Sequence, residues 1–172
     1  MKINKKYLAL AFVASLLASG GAYAATQSVT ANMSFDSLLT LTKNNDISFG
    51  TVGALTAGTY VISTAGVVTP SGGGVVVGGT PVSGQITITG SASQTVSIST
   101  GTYTTNNGVT PSAATCSYNA GASTACDTPL TGLAAPTGVG KILRLGVTAA
   151  VDGTQAANTA AAPTFVVTVV YG

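Results

Sequence analysis

Apolar and polar residues alternate strictly in the run Ser28-Val-Thr-Ala-Asn-Met-Ser-Phe35, where Val29, Ala31, Met33 and Phe35 share one parity and Thr30, Asn32 and Ser34 the other. A period of two is that of a half-buried β-strand, because successive side chains point to opposite faces of the pleated chain. The phase continues through Ser37 to Leu39 and Leu41. It predicts one strand about 43 Å long at about 3.3 Å per residue, against about 17–20 Å for most strands of small domains. Such a strand outruns its own sheet. A hairpin turning at Asp36-Ser37 does not resolve the excess, because it would set Phe35 opposite Leu38 and Met33 opposite Thr40 and strand Leu39 and Leu41 on the polar face. Nor is Asp-Ser the Asn-Gly or Asp-Gly pair that two-residue turns prefer.

Further along, residues 39–43 (LTLTK) lead to a predicted turn at Asn44-Asn45 and a strand over 46–52 (DISFGTV) with Ile47 and Phe49 on one face. Gly50 in that strand signals a bulge or a close backbone approach. Residues 59–64 predict another strand. Val67-Val68 and Val75-Val76-Val77 flank a Pro/Gly-rich tip at 70–74 and predict a hairpin, and 85–89 with 95–99 around 90–93 predict the clearest one. In 141–148 (KILRLGVT), Leu143, Leu145 and Val147 are in phase with Arg144 opposite. The last strand sets Phe165, Val167, Val169 and Tyr171 on one face, and Val166 and Val170 make the other face apolar too. A strand apolar on both sides expects neighbours, either a covering sheet or another subunit. Regularly spaced short strands with Gly-rich turns predict an all-β, immunoglobulin-like β-sandwich of antiparallel strands.

The start of the chain bears on location. Lys2, Lys5 and Lys6 precede an uncharged, mostly apolar stretch at 7–17, and Ala22-Tyr23-Ala24 gives a small-x-small site. This pattern is that of a secretory signal peptide over 1–24, leaving one exported domain over 25–172. The apolar stretch is shorter than the ~20 residues of a spanning helix, and no later stretch is a better candidate, so no integral membrane segment is expected after cleavage. The expected route is the periplasm and then the cell surface or medium.

Removing the signal changes the charge balance. Lys43, Lys141 and Arg144 then face Asp36, Asp46, Asp127 and Asp152. Three scattered cations cannot displace counterions from a phosphate backbone, so nucleic acid is not an expected partner. The chain has no His, and no Glu or Trp. General acid-base catalysis would fall to Asp, Lys141 or Tyr, each needing a large pKa shift, so the chain is not expected to be an enzyme. Asn44-Asn45-Asp46 and Asp152-Gly153 resemble calcium loops but match ordinary turns. The Gly runs at 72–74 and 78–79 are followed by neither Lys nor a helix start, as a phosphate loop requires. No cofactor or metal is expected.

Cys116 and Cys126 are the two cysteines. In an exported protein they are expected to form a disulfide. A metal site would need further ligands that a chain without His or Glu lacks.

The order of 39–43, 46–52, VVVGGTP at 75–81, QITITG at 85–90 and FVVTVVY at 165–171 resembles an exported bacterial family, domain of unknown function 4402. The resemblance implies export and a β-sandwich and carries no catalytic residues. Residues 156–163 depart from the family's usual Gly- and Tyr-containing approach to the last strand. The alternating start and the apolar last strand also resemble pilins of the alternate chaperone-usher type, which implies a periplasmic chaperone and an outer-membrane usher as partners. On this reading the chain is a structural subunit of a surface fibre. Val29, Ala31, Met33 and Phe35, within 25–35, are donated to a neighbour beside an acceptor edge of Phe165, Val167, Val169 and Tyr171. The alternative is a self-complete monomeric binding module or adhesin using Tyr103, Tyr118 and Asn106-Asn107.

Overall fold

The computed structural model describes residues 27–172, and the signal-peptide reading of 1–24 lies outside them. The chain divides into one unit ending at Ser34 and a second, Phe35–Gly172. Residues 27–34 carry no regular secondary structure, and among the described residues all regular elements are strands and lie in the second unit.

The second unit is organised around its longest strand, β11 (Lys141–Val151). Leu143, Leu145, Val147, Ala149 and Val151 are buried on one face, while Arg144 is exposed on the other. Along one edge β11 pairs with β8 (Val109–Tyr118). Along the other it pairs first with β6 (Gly84–Thr89) and then with β3 (Gly58–Ile62). The handover falls at Gly146, where a Cβ would collide with the Ile62 carbonyl and the Thr115 hydroxyl. Only glycine fits so close an approach. β1 (Thr40–Asn45) extends the sheet beyond β6, β4 (Val68–Ser71) beyond β3, and β9 (Thr124–Ala125) beyond β8.

A second sheet has the order β10 (Leu130–Leu133), β7 (Val96–Thr104), β12 (Thr164–Tyr171). A short pair, β2 (Thr51–Val52) with β5 (Val76–Gly78), stands apart. All pairings are antiparallel. Ile62, Ile88, Leu143 and Leu145 from the large sheet share one core with Val96, Ile98 and Val169 from the small one. The fold is a β-sandwich.

Several expected local features differ. Residues 85–89 and 95–99 do not form a hairpin, since β6 and β7 belong to different sheets. Both carry apolar faces into the same core from opposite sides, and the connection at Gly90-Ser91 is itself buried as it crosses between them. The valines around 70–74 do not pair with each other either. β4 folds back on β3, aligning Ile62 with Val68 across a turn closed by Ser63, while β5 goes to β2.

Asn44-Asn45 is not a turn. The strand runs on to Asn45 with a register break between Lys43 and Asn45, and both Asn amides reach across to β6, at Thr87 and Gln85. The chain then keeps to the same edge through a bridge of Ser48 to Val82 and the pairing of β2 with β5. Gly50 lies at φ +75°, where a Cβ would sit 2.7 Å from the Gly78 carbonyl oxygen, so the expected close approach is present.

The long strand predicted from 29 to 41 begins only at Thr40. Thr40 pairs with Thr89, the last residue of β6, and residues 27–39 before it carry no regular secondary structure.

Candidate functional site

β12 is the edge of its sheet. It pairs with β7 along one side, and among the described residues no strand pairs with the other. Beside that free edge lies a cleft of about 940 Å³. Val147, Ala149 and Val151 of β11 line it as buried residues, Phe165 and Val167 come from β12, and Ile47 and Phe49 come from the edge that continues β1. Ile47, Phe49, Phe165 and Val167 touch the core yet stay only half-buried. Added apolar surface would bury them further, at roughly 25 cal/mol per Å² removed from water.

The cleft carries little that could do chemistry. Its charged pair, Lys43 with Asp46 at 2.8 Å, is largely exposed, so it contributes little to stability. Among the described residues no group of three or more His, Cys, Asp or Glu comes together, and no helix is long and apolar enough to cross a membrane.

The four residues of the expected acceptor edge divide by role. Phe165 and Val167 line the cleft, Val169 is buried in the core, and Tyr171 does something else. Its hydroxyl donates to the Ser37 carbonyl (2.7 Å) and accepts from the Ser91 backbone N–H (2.8 Å). Asp36 completes this cluster, accepting from the Ser91 hydroxyl (2.6 Å) and the Gln94 amide (3.1 Å) through one carboxylate oxygen and from the Ser37 N–H through the other. Ser91 is buried, so leaving its hydroxyl unpaired would cost about 1–3 kcal/mol.

The expected donor residues Val29, Ala31, Met33 and Phe35 are all exposed, Phe35 at 89%. The residues of the alternative binding-module reading have internal partners. Tyr118 is buried with its hydroxyl on the Ala134 carbonyl. The Tyr103 hydroxyl meets Asp127 and the Ala114 N–H, and its ring packs on Phe165. The Asn106 side chain accepts from the Ala162 N–H, and Asn107 donates to the Ala160 carbonyl. These two bonds hold the stretch 156–163, which lines the cleft. Cys116 and Cys126 form the expected disulfide, fully buried.

Two carboxylates titrate below their usual range. Asp36 is lowered by the Ser91 hydroxyl first, then the Ser37 N–H and the Gln94 amide. Asp152 is lowered by the Thr154 N–H, then the Gln155 amide. A carboxylate whose folded pKa lies below its unfolded one contributes stability above the unfolded value, near 3.9, and loses it as pH falls through the folded value. Without His, no side chain is expected to take up protons just below neutrality. The melting temperature is therefore expected to move by less than about 5 °C between pH 7 and pH 5 and to fall only in stronger acid. A calorimetric pH series checks this, and a steep loss above pH 5 would contradict it.

The profile of the family described as Domain of unknown function (DUF4402) matches residues 39–171. No curated protein and no solved structure matches the chain. The chain belongs to the DUF4402 family.

Proposed function

We propose that this DUF4402 chain is an exported structural subunit of a surface fibre, an immunoglobulin-like domain that accepts into its cleft the amino-terminal run of the next copy. The observation that carries the reading is the edge of β12, unpaired among the described residues, beside an open and mostly apolar cleft. Strand addition to such an edge supplies main-chain hydrogen bonds for affinity and alternate side-chain pockets for specificity.

The dimensions support the pairing. β12 has 8 residues, or about 26 Å at about 3.3 Å per residue, and the run from Ser28 to Phe35 is equally long. Its alternation gives one apolar face for the cleft. Burying Val, Met and Phe contributes roughly 1.5–3 kcal/mol each, with about 0.5–1.5 kcal/mol net per main-chain bond. Ordering the run opposes this at about 1–2 kcal/mol per residue. A preformed cleft tips the balance, since its walls are already ordered. Transit through the periplasm with a chaperone and usher is part of the same proposal.

The test is electrophoretic. Mature secreted protein is expected to run as a ladder of oligomers on a denaturing gel and to collapse to one band after boiling. A single monomer band without heating, together with a monodisperse monomer in native buffer, would refute the reading.

A further inference from the structure

We infer that Asp36, Ser91 and Tyr171 form a fixed joint that holds residues 36 and 37 on the domain, and so shorten the free connection to the donated run and make the fibre stiff. The inference rests on the donated-strand reading above.

Residues 36–39 stand between the run, which ends at Phe35, and the first residue of β1, Thr40. Left free, a four-residue connection is a flexible tether that points anywhere within about 11 Å. Instead it is gripped at two adjacent residues. Asp36 is held by Ser91, Gln94 and, at 3.4 Å, Ser93, and the Ser37 carbonyl is held by the Tyr171 hydroxyl. The grip is anchored inside the fold: Ser91 is buried, and the Tyr171 hydroxyl also takes the Ser91 N–H.

Apolar packing does not explain the ordering, because Phe35 is 89% exposed and Leu38 87%; only Leu39 reaches the core, half-buried. A polar grip on a segment that adds so little to the core shortens the free connection to what is attached to it. In a chain of subunits the attached run sits in the next molecule, so each grip takes residues 36 and 37 out of the flexible connection between neighbours. Neither Asp36 nor Ser91 lines the cleft or belongs to the accepting strand β12, so loosening the joint at these residues leaves the acceptor intact.

The test compares fibres of the full mature chain with those of Asp36→Ala and Ser91→Ala by electron microscopy. Binding of a synthetic 25–35 peptide is measured in parallel on each chain shortened to begin at residue 36. Both variants are expected to form fibres whose persistence length falls at least about threefold, as a flexible connection replaces a fixed one. Peptide affinity is expected to stay within about twofold, the limit for independent sites. Fibres as stiff as the parent in both variants would overturn the joint while leaving strand donation standing. Weakened peptide binding alongside softer fibres would overturn it too, by showing that the cluster merely supports the cleft. If the parent chain neither forms fibres nor binds the peptide, strand donation fails and the joint fails with it.

Discussion

A chain shortened to begin at residue 36 is expected to remain folded, to lose polymers altogether and to bind a synthetic peptide of residues 25–35 in trans. Folding should survive because every strand among the described residues lies within Phe35–Gly172, and because Val29, Met33 and Phe35 are exposed. Polymer formation should be lost because the shortened chain keeps its cleft but has no strand to donate. The peptide at about a hundred times its Kd should stabilise the domain by ~2.7 kcal/mol, or about 10 °C in melting temperature for a domain of this size. A peptide with Val29, Met33 and Phe35 all replaced by Ser keeps its backbone bonds but not its apolar face, so its stabilising effect should nearly vanish. A shortened chain that still assembles, or one whose melting point ignores the peptide, would remove the donated strand from the account.

The strands that the sequence made legible are those that keep one phase against one core. In β11 and β12 the expected parity holds residue by residue, from Leu143, Leu145 and Val147 to Phe165, Val167 and Val169. β8 was missed because it breaks phase: its buried positions shift from Pro111 to Ala114 and Cys116, around Ala113 at positive φ and a register break opposite Gly146 and Thr148. A local signal did exist. Asn107-Gly108 has positive φ at both residues, as a tight primed turn requires, and it announces the start of β8. Reading Asn106-Asn107 as contact residues concealed that turn.

The cleft was legible only on one wall. Phe165 and Val167 stand out in the last strand, but the wall facing them comes from Ile47 and Phe49, and the topology brings these there by keeping the chain on one edge past Asn45. The polar joint left no local trace at all. Asp36 meets Ser91 across 55 positions, and Tyr171 meets Ser37 across 134. Serine and aspartate in Gly-rich stretches read as turn residues, and only the folded chain shows which of them meet.

Replacing both Cys116 and Cys126 with Ala is expected to lower stability by about 3 kcal/mol, from the entropy that closing an eleven-residue loop removes from the unfolded chain. The melting temperature should fall by about 10 °C. Packing acts in the same direction, since both sulfurs are buried in the shared core. The bridge ties β8 to the end of β9 within the large sheet, and the backbone of Cys126 reaches on to the small one. Cys116 lies in β8 of the large sheet, while the Cys126 carbonyl accepts from the Thr100 N–H of β7 in the small one and its N–H donates to Ala114. Losing it should loosen the sandwich between β7 and β8, and β12, which lines the cleft, pairs with β7. Peptide binding should therefore weaken in the double variant even below its melting point. Burial also predicts the kinetics: with Cys116 at 1% and Cys126 at 0% exposure, a thiolate reductant cannot reach either sulfur in the folded protein, so reduction should wait on unfolding. Non-reducing mass mapping after timed exposure to dithiothreitol, with and without urea, separates these outcomes. Rapid reduction in the absence of urea would show that the bridge is not enclosed, and a double variant that melts with the parent would show that it does not stabilise the fold.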